Sequence, residues 1–181
     1  MVRLFVAIEL PDDICRVLRE FQKKLPGGVT KTSSFHLTLQ FIGEVDDTKV
    51  PLIIESLRKV LFSSFTLSLD KVGVFPSNSN PRVVWIGVVP GANAVALAKQ
   101  VGSCLAQLEL VPDHEFHPHL TLARVKFLEN KNEFLAAIDA WKVPPVAFVV
   151  NAFYLVKSTL SKEGSVYETL ACFRTKSAKP L

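Results

Sequence analysis

The sequence predicts an α+β protein made by duplication, with two antiparallel-rich sheets facing a central cleft and helices outside. Three observations predict it. The order strand–helix–strand–helix–strand occurs twice. Matching points recur at nearly equal separations: Arg3 to Arg82, His36 to His119, Phe65 to Val146. A His-Leu-Thr tripeptide stands on an alternating strand at the same place in each copy, as His36-Leu37-Thr38 and His119-Leu120-Thr121. Such a unit packs its helices on one face of a sheet and leaves the other face open. Two copies about a pseudo-two-fold would enclose a groove, a natural ligand site. The 181 residues read as one bilobal domain with repeat-related halves of about 1–78 and 79–175.

A strand is expected over residues 4–10. Pro11-Asp12-Asp13 then opens a helix to about residue 24, with Asp12 or Asp13 available to cap its free amides, and Pro26-Gly27-Gly28 ends it. A strand over 35–42, a helix from about 49 to 61 and strands covering 65–75 complete the first copy. In the second, 83–89 is a strand, and Pro90-Gly91 leads into a helix ending near 108. Residues 116–125 form a strand, 132 to about 141 a helix, and 146–156 an extended segment. A strand over 166–173 closes the chain. Thr32-Ser33-Ser34 and Ser77-Asn78-Ser79-Asn80 read as turns, and residues 176–181 as a mobile tail.

Composition narrows the function. Hydrophobic residues are 49% and charged residues 21%, enough for a real core and against global disorder. A net charge of +4 favours an anionic partner. The positive charge is thinly spread, with no basic helix or run of the kind a duplex-DNA binder uses. It suits a cleft that holds a phosphate end. The three cysteines (Cys15, Cys104 and Cys172) form no CxxC and fit a reducing compartment. No signal peptide is visible, and no apolar run approaches the ~20 residues of a membrane span. The expectation is a cytoplasmic monomer without membrane contact.

In Phe35-His36-Leu37-Thr38-Leu39-Gln40-Phe41, strict alternation sends Phe35, Leu37, Leu39 and Phe41 under the helices. His36, Thr38 and Gln40 go to the open face. In the second strand, Phe116, Pro118, Leu120 and Leu122 take one face, and His117, His119, Thr121 and Ala123 the other. Each half thus offers an imidazole and a hydroxyl about 6–7 Å apart along a strand. Cleaving a phosphodiester without metal requires a base on one side of phosphorus and an acid on the other, because displacement is in line. Histidine can serve as either near neutral pH. The hydroxyls of Thr38 and Thr121 can donate to the non-bridging oxygens. The residues alone do not say which histidine is the acid.

Two further readings stay open. His114, His117 and His119 form H-x-x-H-x-H, a possible metal cluster. Phe5 and Trp85 match in the repeat, as do Ala7 and Gly87. The two aromatics could stack on a base or fill the inter-lobe core.

The sequence resembles the 2H phosphoesterase superfamily, and within it the RNA 2′,3′-cyclic phosphodiesterases long called 2′-5′ RNA ligases. The resemblance covers nearly the whole chain. It is carried by Arg3-Leu4-Phe5-Val6-Ala7-Ile8-Glu9-Leu10-Pro11, the two His-x-Thr strands, Gly73-Val74-Phe75-Pro76 and Pro81-Arg82-Val83-Val84-Trp85, with Tyr154, Ser158 and Tyr167 near the end. It implies that His36 is the proton donor and His119 the acceptor, with a 2′-phosphate as product and no cofactor. It also implies an arginine near the phosphate, at Arg124. Strict alternation would turn Arg124 away from His119, so it must lie at a strand end or beyond a bulge. His117 stands where the family usually carries a basic residue, often arginine. The implied partners are RNAs with 2′,3′-cyclic phosphate ends, tRNA fragments included, and nucleotides. The alternatives are 2′-5′ ligation of such an end to a 5′-hydroxyl, or a non-catalytic RNA- or nucleotide-binding module. Binding alone would not need a paired acid and base.

Overall fold

The computed structural model describes residues 1–112, 115–161 and 164–175. The elements are β1 (Val2–Glu9), α1 (Asp12–Lys23), β2 (Val29–Lys31), β3 (His36–Val45), a 3₁₀ turn (Asp47–Lys49), α2 (Val50–Leu57), β4 (Phe65–Ser77) and β5 (Asn80–Val89). They continue with α3 (Ala92–Ala106), β6 (His119–Val125), α4 (Lys131–Asp139), β7 (Ala147–Val150), β8 (Ala152–Ser161) and β9 (Gly164–Arg174). One sheet runs β3-β1-β8-β9 and the other β2-β6-β5-β4-β7, and every pairing is antiparallel.

The sheets do not coincide with the halves of the chain. β4 leaves the first copy to pair with β5, and β8 leaves the second to pair with β1. The helices cross as well: α1, which follows β1, packs on β6, while α3, which follows β5, packs on β3. One continuous core results. Leu4, Val6 and Ile8 of β1, Leu37 of β3, Ile86 of β5, Leu120 of β6 and Phe153 of β8 are all buried in it, with Leu18 of α1 and Leu97 and Val101 of α3. Each such side chain contributes about 1.5–3 kcal/mol relative to exposure. The other face of β1 carries Phe5 and Ala7, buried in a second, smaller cluster with Val156, Tyr154 and Tyr167. That cluster is the floor of the cleft. Because β1 is covered on both sides, it reads as a nearly unbroken apolar run.

Several expected boundaries move for local reasons. Neither Asp12 nor Asp13 is the N-cap residue of α1, but Asp13 does satisfy one of its free amides, its Oδ1 accepting from the Ile14 N–H at 2.9 Å. The N-cap is Pro11, and both aspartates lie in the first turn, where their charge complements the helix dipole. The helix expected over 49–61 is a 3₁₀ turn capped by Asp46 followed by α2, which ends at Leu57. The extended segment over 146–156 breaks at Asn151 into β7 and β8, which belong to different sheets. Residues 116–118 precede β6 and are not strand, and β2 was not foreseen. The expected tail and His114 lie outside the described residues. Among the described residues no helix is long and apolar enough to cross a membrane.

Candidate active site

The site is built on β3 and β6, and both strands break alternation at the same place. Ala7 pairs with Thr38 but Val6 pairs with Gln40, so Leu39 is an extra residue. Trp85 pairs with Thr121 but Val84 pairs with Ala123, so Leu122 is extra in the same way. A bulge of this kind inverts the faces beyond it. Gln40 therefore points inward, buried, with its Nε2 donating to the Leu110 carbonyl at 3.0 Å, while Phe41 turns out to 61% exposure. Ala123 is buried and Arg124 exposed. This corrects the expected faces of Gln40, Phe41 and Ala123. It also puts Arg124, opposite Val83, on the same face as Thr121 and His119. The second bulge is held from behind: the buried Gln22 of α1 donates from Nε2 to the carbonyls of Leu122 at 2.8 Å and Thr32 at 2.9 Å.

The register also corrects one equivalence in the repeat. His36 lies opposite Glu9 and Thr38 opposite Ala7, whereas His119 lies opposite Gly87 and Thr121 opposite Trp85. Ala7, not Phe5, takes the place of Trp85, and Glu9 that of Gly87. A two-residue slip preserves which side chains face the cleft, so periodicity could not expose it.

The two imidazoles sit in different surroundings. His36 is walled by rings: Phe5 at 4.8 Å between centroids and Tyr167 at 5.2 Å, edge-on. Burial, with the nearby His119 adding to it, lowers its pKa to about 4. The ring borders a hollow of about 310 Å³ that runs over Ala7 toward Glu9, Ser34 and Arg19. Glu9, which alternation could have flagged beside Phe5 and Ala7, accepts a hydrogen bond from the Thr169 hydroxyl at 2.9 Å.

His119 is oriented by its own backbone. Its Nδ1 lies 2.6 Å from the His117 carbonyl. A carbonyl can only accept, so Nδ1 carries the hydrogen and, in the neutral ring, Nε2 keeps its lone pair. Burial lowers the pKa of His119, the His117 carbonyl opposes that, and the His117 side chain adds to it. Phe75 meets the ring edge-on at 4.8 Å, and Trp85 lies 6.3 Å away. These residues border a second hollow, of about 240 Å³, with Lys71 and His117. The indole lies over Gly73, where any Cβ would collide with it.

Phe5 and Trp85 thus each lie beside a motif histidine. His117 lies beside Phe75 and His119, but its proposed companion in a metal cluster, His114, is outside the described residues. Among the described residues no three His, Cys, Asp or Glu side chains converge.

Residues 10–161 match the 2′-5′ RNA ligase superfamily. The chain belongs to this family. A relative from Archaeoglobus fulgidus named RNA 2′,3′-cyclic phosphodiesterase is 37% identical over 95% of this chain and 99% of its own. One of the same name from Methanocaldococcus jannaschii is 33% identical over 93% and 98%. Among solved structures, TT0787 of Thermus thermophilus superposes with a TM-score of 0.79 at 31% identity, covering 95% of this chain and 97% of that one. Apo LigT of E. coli gives 0.77 at 27% identity, covering 97% and 98%. In this 2H phosphoesterase fold each motif histidine borders its own hollow, and His119 is near enough to weigh on the charge of His36.

Proposed function

We propose that the chain hydrolyses RNA 2′,3′-cyclic phosphate ends to 2′-phosphates without metal, with His36 as proton donor and His119 as acceptor. What carries this is that the two motif histidines lie near enough for His119 to weigh on the charge of His36, with the His119 imidazole held in a defined tautomer. Nε2 of His119 takes a proton from water, and the water oxygen attacks phosphorus. The bond from phosphorus to O3′ breaks, and His36 delivers its proton to O3′. The hydroxyls of Thr38 and Thr121 donate to the non-bridging oxygens, and Arg124 balances their charge. Trp85, half-buried beside His119, lines a place where a base would stack, whereas Phe5 is buried behind His36 and takes the core role.

His36 must be protonated to act as donor, yet burial holds it neutral near pH 7. An anionic phosphate between the imidazoles favours the charged form, so substrate and proton enter together. Calorimetric binding of inorganic phosphate at pH 6–7, in buffers of different ionisation enthalpy, should report proton uptake. The names of the relatives and the complex of E. coli LigT with phosphate support this reading.

The deciding experiment incubates an RNA ending in a 2′,3′-cyclic phosphate with the protein, with and without EDTA. The expected product is a 2′-phosphate at equal rates. Joining to an added 5′-hydroxyl RNA in preference to hydrolysis would favour ligation. Loss with EDTA, restored by one metal, would favour the histidine cluster.

A further inference from the structure

Arg19 has no part in the reaction proposed above, yet it lines the hollow of about 310 Å³ beside His36. A proton donor needs no such space: a water takes about 30 Å³, and small-molecule sites span roughly 300–1,000 Å³. α1 gives the wall both Cys15 and Arg19, which lie four residues apart and so on one face of the helix. The turn before β3 gives it Ser33 and Ser34. The guanidinium is held in place from below. Its Cζ lies 5.8 Å over the ring of Phe35, the buried residue just before His36. Among the described residues no carboxylate lies within ion-pair distance of it. A cation fixed on the wall of a hollow, with no acidic partner of its own there, is available to an anion.

In-line displacement says which part of a substrate reaches this hollow. Water attacks from the His119 side, so O3′ leaves toward His36, and the ribose that carries O3′ lies on that side. The 5′ oxygen of the same ribose joins it to the rest of the RNA. The chain therefore leaves the reacting phosphorus past His36, where the hollow opens. We infer that this hollow is a second phosphate subsite, in which Arg19, with the hydroxyls of Ser33 and Ser34, binds the phosphodiester that links the terminal nucleoside to the one before it. Glu9 also lines the hollow, with its Oε1 accepting from the Thr169 hydroxyl at 2.9 Å. A carboxylate repels an anion, so the phosphate belongs at the Arg19 part of the wall. Phosphate contacts of this kind fix register and carry no base preference. The subsite separates an RNA end from a free cyclic nucleotide by charge alone.

The inference rests on the hydrolytic reading above, with His36 on the leaving side, and the test separates the two. Steady-state hydrolysis is compared for three substrates: a nucleoside 2′,3′-cyclic monophosphate, the same compound with a 5′-phosphate, and a dinucleotide with the same cyclic end. The proteins are wild type, Arg19→Ala and Arg19→Lys. Wild type should show lower KM values for the two substrates with a phosphate on the 5′ oxygen. Arg19→Ala should raise those two KM values about five- to twentyfold more than that of the bare nucleoside, with similar kcat. Arg19→Lys should restore part of the loss, because it keeps the charge without the fork. Turnover of the bare substrate also shows that each variant is folded. Equal KM values for all three substrates in wild type, or equal losses on all three in Arg19→Ala, would overturn the subsite while leaving hydrolysis intact. A gain for the 5′-phosphorylated nucleoside without one for the dinucleotide would overturn it too, since the hollow would then take a free phosphate end. Failure of wild type to hydrolyse any of them would remove the hydrolytic reading and the inference with it.

Discussion

The two motif strands share a tripeptide and a bulge, and they differ in nearly everything around them. His36 is enclosed by Phe5 and Tyr167 in an apolar wall, whereas His119 is fixed through Nδ1 to the His117 carbonyl. Beyond the bulge stands Phe41 in one lobe and Arg124 in the other. A duplication begins with identical halves, but an acid and a base are different tasks. Apolar enclosure lowers the pKa of His36, and the carbonyl leaves a lone pair on His119. The geometry common to the repeat is the spacing of the two rings, and their chemistry is set by neighbours the repeat does not share.

The sharpest way to break this comparison is to remove each ring. His36→Ala and His119→Ala should each cost about 10²–10⁴-fold in rate, and the double variant far less than the product of the two. A substrate with a good leaving group needs little acid, so it should rescue His36→Ala and not His119→Ala. Rescue of the other variant would reverse the roles. Next comes Arg124→Ala, which should lose about 1.5–3 kcal/mol of transition-state binding, with Arg124→Lys restoring it only in part. Unchanged kcat/KM would make Arg124 a surface charge.

The different enclosures should also appear in stability. The pKa of His36 is depressed on folding, so between about pH 6.5 and 4 the unfolded chain binds the extra proton and the folded form loses stability as pH falls. Thermal melts across this range should show His36→Leu less acid-sensitive than wild type. The corresponding difference for His119→Leu should be smaller, because the His117 carbonyl offsets part of its burial. Equal slopes for wild type and His36→Leu would contradict the buried neutral imidazole. The smallest contrast concerns the supports of the two bulges. Among the described residues Gln22 makes two hydrogen bonds, whereas Gln40 makes one and leaves its Oε1 buried without a partner. Gln22→Leu should cost about 1–3 kcal/mol in denaturant unfolding, and Gln40→Leu less.

The rows of the site were legible because side-chain alternation and the repeated tripeptide are local signals. His36 with Thr38, and His119 with Thr121, needed nothing beyond period two. The faces of Gln40, Phe41 and Ala123 were not legible, because a bulge changes phase without changing composition, and a polar Gln40 beside two site residues looks like a third. Arg124 was the exception: its implied role conflicted with alternation, and the conflict itself called for the bulge found at Leu122. The exchange of β4 and β8 was hidden for another reason. Strand propensity says that a segment is extended but not which edge it will join, so equal spacing could not reveal which sheet each third strand completes.

That exchange has a consequence for how the chain acquires its shape. β1 pairs with β8, which follows it by about a hundred and fifty residues of chain. Without β8 the first sheet has only β1 and β3, too few strands to persist alone. The sheet that carries His36 is therefore incomplete until β8 is available, and contacts of such long range slow folding. A cut between the two repeat-related halves would separate β1 from β8 and β4 from β5.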